Sequence, residues 1–366
     1  MSWKLSRYRS GDLVEVRSKE EILATLDQHG CVDGMPFMPE MLQFCEKRFR
    51  VGAVAHKTCD TVQKTGGRRL QATVHLDGVR CDGLAHGGCQ AECNLFWKDE
   101  WLKPATNNGL RLATLEVANK ASERFTEAQL LANAHLSSDI EGDELRYVCQ
   151  ATNLYTATEP LAWWDMRQYL FDVLTGNHPA SRVMRVLFLA SLRWLLAHAP
   201  FGWRLIKFVN DRIHLWLSGR PGPSLDGQIP DGGTTPTGRL DLKPGEYVKI
   251  KLQAAIEETV GRFGKNRGLR FDPEEMAPYC GRVVKVRRAV TRIIDEPTGK
   301  MLQMKQPCIM LEGVVCNAEY APCRLNCPRA IPSYWREIWL ERVDNDKQST
   351  HCATLPDQSQ GSSLVD

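Results

Sequence analysis

Hydrophobic and polar positions alternate in a short segment near each end of the chain. Residues 11–16 read GDLVEV and residues 245–250 read GEYVKI. A period of two is typical of a strand with one buried face. A run with helical periodicity follows in both places, KEEILATLDQ in the first and QAAIEETVGR in the second. The pattern therefore predicts a strand and then a short amphipathic helix at each end of the sequence.

The two regions also match each other beyond these openings. GMPFMPEMLQFC, which ends at Cys45, corresponds to GLRFDPEEMAPYC, which ends at Cys280. LDGVRC, which ends at Cys81, corresponds to LEGVVC, which ends at Cys316. Subtracting matched positions, such as 11 from 245 and 81 from 316, gives offsets of 234 and 235. Such constant spacing predicts a tandem duplication of one small module.

Each copy is predicted to be mostly β. Further strands are expected over residues 49–54 and 70–79 of the first copy, and over 283–294 and 308–315 of the second. WKDEWLKP and WREIWLERV predict a closing strand. The Gly-acid-x-Val-x-Val opening resembles that of SH3-like barrels, a resemblance that covers only a few residues and implies a small, partly open barrel. The expected fold class is α+β, with two homologous small SH3-like modules in tandem joined by a helical connector.

Between the two copies the apolar residues recur at helical spacing. This holds for PLAWWDMRQYLFDVLTG, ASRVMRVLFLASLRWLLAHA and GWRLIKFVNDRIHLWLSG. A stretch rich in Pro, Gly and Thr then leads into the second copy. We therefore predict a first module over 1–104, a helical connector over 105–217, a Pro/Gly-rich linker over 218–244, a second module over 245–343 and a disordered polar tail over 344–366.

The most apolar part of the connector, residues 183–199, is interrupted by Arg185 and Arg193. It therefore lacks the uninterrupted apolar length that a transmembrane helix needs. Two alternatives remain: the helices pack between the modules, or they form a hairpin at a membrane surface. The polar amino terminus lacks the apolar stretch of a secretory signal, which predicts a cytoplasmic protein, with peripheral membrane contact as the alternative.

The small net charge and the absence of common catalytic motifs argue against several classes of function. The formal charge is only +3, with 47 Lys and Arg against 44 Asp and Glu, which disfavours nucleic acid as a partner. Neither a phosphate-binding loop nor a nucleophile elbow is present. We therefore expect a protein partner.

The 13 cysteines need a reason other than disulfides if the protein is cytoplasmic. Four cysteines recur in each copy, and the last three follow C-x7-C-x3-C in one and C-x6-C-x3-C in the other. Turn-rich loops can gather three thiolates around a metal ion, while Cys45 and Cys280 would supply the fourth. The predicted metal ligands are Cys45, Cys81, Cys89, Cys93, Cys280, Cys316, Cys323 and Cys327. The alternative is that these are buried or redox-active thiols of a duplicated core.

The identity of the metal is less constrained than its ligands. Four thiolates suit zinc and iron–sulfur clusters alike. CDGLAH resembles the Cys-Asp-Gly-x-His end of the mitoNEET-type iron–sulfur motif, but it has one extra residue before His86 and no upstream C-x-C. Zinc is therefore favoured, with an iron–sulfur cluster as the alternative. His86 is a possible additional ligand, or a solvated loop histidine.

Two functional hypotheses follow. The first is a non-enzymatic, metal-binding accessory or protein-interaction protein, because no polar constellation other than the cysteines recurs in both copies. The second is a metalloenzyme or iron–sulfur redox protein in which the first repeat is active, because only the first copy has His86 beside its cysteines.

Overall fold

The computed structural model of the chain describes residues 3–105, 125–136, 145–198, 203–218, 225–319 and 325–343. The tail predicted over 344–366 and the predicted ligand Cys323 lie outside these ranges, as do parts of the connector and of the linker.

The amino-terminal region is built from short strands and one helix. The helix α1 spans Lys19–Leu23, and its first turn is fixed by Ser18, whose hydroxyl accepts from the Glu21 amide while the Glu21 carboxylate accepts from the Ser18 amide. The strands are β1 (Leu13–Val16), β2 (Cys31–Val32), β3 (Met35–Pro36), β4 (Arg48–Val54), β5 (Lys57–Cys59), β6 (Gly67–Arg69), β7 (Thr73–Leu76), β8 (Trp97–Lys98) and β9 (Leu102–Pro104).

Within the described residues the connector contributes four helices and three short strands. Its elements are α2 (Glu127–Asn133), β10 (His135–Leu136), β11 (Arg146–Tyr147), β12 (Glu159–Leu161), α3 (Arg167–Leu174), α4 (Ala180–His198) and α5 (Trp203–Ser218). Strand β12 pairs with β6 and extends the β5–β6 hairpin to three strands. The connector is thereby hydrogen-bonded into the amino-terminal region.

The carboxy-terminal region contains β13 (Tyr247–Ile250), α6 (Gln253–Glu257), β14 (Lys265–Asn266), β15 (Leu269–Arg270), α7 (Pro273–Met276), β16 (Val283–Ile294), β17 (Met301–Val315), β18 (Pro332–Trp335) and β19 (Leu340–Arg342). Short 3-10 helices lie at Pro39–Phe44, Asp99–Trp101, Ala277–Tyr279 and Glu337–Trp339.

Two five-stranded antiparallel sheets organise the molecule. Their strand orders are β8-β7-β4-β1-β9 and β18-β17-β16-β13-β19. In both sheets the opening strand lies between its long partner and the last strand of its region. The architecture is therefore mixed α+β with small antiparallel sheets, and no closed barrel is formed within the described ranges.

The closing segments differ from the single strand that the sequence predicts. In the first, β8 pairs with β7, and the 3-10 helix Asp99–Trp101 separates it from β9, which pairs with β1. The second repeats this arrangement around Glu337–Trp339. The chain has to cross from one edge of the sheet to the other between β8 and β9. A single continuous strand could not do this, because it would keep the same neighbouring strand along its length.

A T-shaped aromatic pair lies at the centre of each core. Phe37 and Trp101 have ring centroids 5.1 Å apart, and Phe271 and Trp339 have centroids 5.7 Å apart. All four side chains are buried. Edge-to-face aromatic packing adds about 0.5–1.5 kcal/mol to the burial of such rings. No helix of the described residues combines the length and apolar character needed to cross a membrane.

Candidate thiol clusters and the cavities beside them

The loop that follows β7 carries three of the predicted ligands, Cys81, Cys89 and Cys93. Gly83 gives this loop its tight turn, with φ at +70°. A Cβ at this position would lie 2.1 Å from the carbonyl oxygen of Cys89, so only glycine lets the two strands of the loop approach so closely. The Cys81 amide donates to the Cys93 carbonyl at 2.9 Å and closes the loop.

A fourth thiol, that of Cys149 from the connector, joins these three. Cys81, Cys89, Cys93 and Cys149 all line one cavity of about 30 Å³. Gln150 fixes the connector here, because its amide nitrogen donates to the Phe96 carbonyl at 2.8 Å and its amide oxygen accepts from the Phe96 amide at 2.8 Å. We call these four cysteines the first thiol cluster.

The environment of the first thiol cluster combines burial with positive partial charge. Burial raises the pKa of Cys93 to about 12, although Arg329 acts against that rise. Burial also raises the pKa of Cys149. The Ile294 amide of β16 donates to Cys89 Sγ at 3.4 Å. Such a bond stabilises the thiolate, the form that binds metal.

Cys45 and Cys280, the predicted fourth ligands, each pack against the hydrophobic core of their own region. Cys45 packs against the first hydrophobic core, where burial raises its pKa to about 11. Cys280 packs against the second core, and its Sγ donates to the Met276 carbonyl at 3.9 Å. Neither residue lines the cavity of the first thiol cluster.

A second group of thiols spans both ends of the chain. Cys59 of β5 clusters with Cys316 and Cys327, and Ala318 is buried among them. A hydrogen bond with Cys59 raises the pKa of Cys327 well above its ordinary value. We call Cys59, Cys316 and Cys327 the second thiol cluster. It is completed by a residue of the amino-terminal region, just as the first is completed by a residue of the connector.

Arg329 connects the two clusters. It is 3% exposed, lines the first cavity, and donates to Thr61 Oγ1 at 2.6 Å and to Glu296 Oε1 at 2.9 Å. Its positive charge acts on Cys93 as well as on Cys59 and Cys327. A buried guanidinium placed between thiol groups favours their ionised form.

His86 lies beside the first cluster with both ring nitrogens engaged. Nδ1 is 2.5 Å from Glu40 Oε1, and Nε2 donates to the Val148 carbonyl at 2.9 Å. Burial is the largest single influence and lowers the pKa of His86, but the hydrogen bond and charge of Glu40, together with the Val148 hydrogen bond and the charge of Asp82, outweigh it, and the pKa is raised overall. His86 is buried, so it is not the solvated loop histidine of the second interpretation.

Neither the cysteine spacing nor the repeat singles out Cys59, Cys149 or Arg329 as site residues. Neither cysteine recurs at the matched position of the other copy, so the repeat argued against both. Their separation from the loop cysteines along the chain also hides them from any spacing motif. Only the packing of the connector and of β5 brings them to the clusters.

Within the described ranges, no three side chains of His, Cys, Asp or Glu are already arranged to hold a metal ion. The thiols therefore share a cavity without forming a finished coordination shell.

No protein-family model matches the chain, and no curated protein matches it either.

Proposed function

We propose that this protein is a non-enzymatic accessory protein in which two duplicated, SH3-like modules are stapled by zinc and present a surface to a protein partner. The identical order of corresponding strands in the two sheets supports the duplication. The observation that carries the metal proposal is the meeting of Cys81, Cys89, Cys93 and Cys149 around one cavity. Four thiolates are the ligand set of a closed, structural zinc site.

Metal binding at the first cluster requires the cysteines to turn toward a common centre. A cysteine sulfur changes its position by rotation about the Cα–Cβ bond. Burial supports a structural rather than a catalytic ion, because catalytic zinc keeps a position open to water or substrate. The engaged ring nitrogens of His86 also favour the accessory role over the metalloenzyme.

The second cluster extends the proposal to the contact between the two ends of the chain. A zinc ion held by Cys59, Cys316 and Cys327 would join β5 to the carboxy-terminal module. Cys323, which the cysteine spacing groups with Cys316 and Cys327, lies outside the described residues. Binding energy at such a site adds directly to the stability of the folded state.

Elemental analysis of reduced protein tests the metal proposal. We expect zinc in the wild type, and lower zinc content in Cys149→Ser. Cys45→Ser is the matched control, since this thiol is also partly buried but lies outside the cavity, and we expect it to keep its zinc. Protein that is brown and contains iron would favour the iron–sulfur alternative. Absence of both metals, or zinc loss in Cys45→Ser alone, would contradict the proposal.

The surface that we propose for a partner lies on α4, α5 and the segment before α3. Trp216 is 83% exposed and Trp164 is 67% exposed. Large exposed apolar side chains are a feature of interaction surfaces, and tryptophan is enriched where binding energy concentrates. We call this the connector surface; its exposed apolar residues are Trp163, Trp164, Met184, Phe188, Trp194, Leu195, Phe208 and Trp216.

The charges of α4 favour a protein over an anionic membrane at this surface. Arg185 pairs with Glu319 at 3.1 Å, and Arg193 pairs with Glu274 at 2.6 Å. Arg182 also reaches Glu319, at 3.5 Å. Arg185 and Arg193 are therefore already paired with carboxylates, whereas a helix at an anionic membrane uses free cations on its polar face.

A photo-crosslinking residue at position 188 tests the connector surface in the native cell. We expect a single defined protein adduct that Trp216→Ser abolishes. The same residue at position 302 is the control, because Leu302 is 50% exposed but lies on β17. An adduct between two copies of the chain would show that the surface binds a second copy instead. Sedimentation with phosphatidylserine vesicles that Trp216→Ser abolishes would show that it binds a membrane instead.

A further inference from the structure

A second, larger cavity lies where the two modules meet the connector. Its volume is about 360 Å³, which falls within the range of small-molecule sites in proteins. The amino-terminal region contributes His75, Asp77 and Arg80 to its wall, and the connector contributes His178 and Arg182. The rest of the wall comes from the segment after β17 and from residues near Cys327. Meeting points between domains are a preferred location for ligand sites.

The charged residues that line this cavity are mainly cationic. Arg80 and Arg182 both line it, and Asp77 is the acidic residue among the described lining residues. Backbone carbonyls of Glu92 and Ala330 hold the Arg80 guanidinium at 2.9 and 3.2 Å. These partners are neutral, and no carboxylate of the described residues forms an ion pair with Arg80, although the charge of Glu92 acts on it. Guanidinium groups bind carboxylates and phosphates well.

Arg182 has unused hydrogen-bonding capacity at the same place. Its terminal nitrogen donates to the Asn317 carbonyl at 3.3 Å and lies 3.5 Å from Glu319. Its Nε is buried and has no hydrogen-bond partner. A buried donor without a partner costs free energy unless a ligand or water satisfies it.

His75 adds an unpartnered acceptor to the wall. It is 2% exposed, and its Nδ1 must donate to the Leu95 carbonyl, which lies 2.8 Å away, because a carbonyl can only accept. Nε2 is buried and has no hydrogen-bond partner. Burial lowers the pKa of His75 to about 4, so that Nε2 carries a lone pair at neutral pH. Such an atom accepts a hydrogen bond from a ligand hydroxyl.

We propose that this cavity is a binding site for a small anion that also carries a hydroxyl group, with Arg80 and Arg182 binding the anionic group and His75 Nε2 accepting from the hydroxyl. Hydroxycarboxylates and polyol phosphates share this chemistry. Cys316 and Cys327 of the second thiol cluster also line this cavity, but the proposed contacts to the ligand are made by guanidinium and imidazole groups. It would also couple ligand binding to the packing of both modules against the connector, since all three contribute to the wall.

Calorimetric titration of the full chain with two matched pairs of probes tests the site. Malate and succinate differ by one hydroxyl, and glycerol 3-phosphate and propyl phosphate share a phosphate but differ in their hydroxyl groups. We expect the hydroxylated member of at least one pair to bind about tenfold more tightly, because a lone-pair acceptor left unpaired in the cavity discriminates against the other member. The pair that binds identifies the anionic group. No binding by any probe at millimolar concentration would overturn the proposal.

Variants assign the contacts. Arg182→Gln is expected to weaken binding of every probe about tenfold or more. Arg193→Gln is the matched control on the same helix, because Arg193 pairs with Glu274 and does not line the cavity. His75→Gln is expected to remove the preference for the hydroxylated probe while leaving some affinity for the anion. Equal weakening by Arg182→Gln and Arg193→Gln would show that the cavity is not the site. If His75→Gln fails to fold, the Arg182 comparison and the probe pairs still decide the outcome.

Discussion

Lys57 Nζ lies 2.6 Å from Asp172 Oδ2, and both side chains are buried where β5 meets α3. Residues of the amino-terminal region and of the connector are therefore joined by an ion pair that water does not reach. The Lys57 ammonium also lies 4.9 Å from the ring centroid of Tyr169. Burial lowers the pKa of Lys57, and Asp172 acts against that fall.

The first prediction concerns this ion pair. Lys57→Met leaves the Asp172 carboxylate buried without its cation, and we expect a loss of about 3–5 kcal/mol in the free energy of unfolding. The double variant Lys57→Met/Asp172→Leu should recover most of that loss, because it removes both charges. Urea denaturation of the two variants measures the difference. Equal destabilisation of both would show that the pair is not coupled.

The second prediction concerns the hydrogen bond between Glu40 and His86. In Glu40→Gln, burial acts on His86 without the carboxylate, so its pKa should fall from above 6.5 to below 6.5. NMR titration of the His86 ring measures this change, with Glu46→Gln, an exposed site, as the control.

A raised pKa in the folded state stabilises the protein below the unfolded pKa, and this contribution disappears as the pH rises through the folded value. The stability advantage of the wild type over Glu40→Gln should therefore narrow with rising pH.

The third prediction concerns Gln150, which is 3% exposed and holds Cys149 at the first thiol cluster. In Gln150→Leu the Phe96 amide and carbonyl lose their partners, as does the Pro36 carbonyl 3.0 Å away. We expect destabilisation of about 1–3 kcal/mol for such unpaired buried groups, together with lower zinc content. Gln28→Leu, at an exposed position, should change neither quantity. Unchanged zinc in a destabilised Gln150→Leu would mean that Cys149 does not bind the metal.

The fourth prediction compares two glycines with nearly the same backbone conformation. Gly83 has φ at +70° and Gly78 has φ at +71°, so alanine costs about 1–2 kcal/mol of backbone strain at either site. A Cβ at Gly83 would also lie 2.1 Å from the Cys89 carbonyl oxygen, whereas nothing lies within 4 Å at Gly78. Gly83→Ala should therefore be the more destabilised in thermal unfolding and should lose zinc, while Gly78→Ala should retain it. Similar behaviour of the two variants would contradict the tight turn.

Local periodicity determined the elements that depend on neighbouring residues. The sequence predicted β16 at its observed bounds and placed α1, α6, α4 and α5, because alternation and helical spacing are properties of short segments. It also predicted that Cys81, Cys89 and Cys93 belong together, and the structure places all three around one cavity.

Only the tertiary structure decided which distant residues complete each cluster. Cys149 of the connector lines the cavity beside Cys81, Cys89 and Cys93, and Cys59 of β5 packs with Cys316 and Cys327. Contacts between residues far apart in the chain are set by how the connector and β5 pack, and neither period nor spacing encodes that packing. For the same reason neither the partners of His86 nor the cationic cavity between the modules could be predicted from the sequence, since each is assembled from segments that meet only after folding.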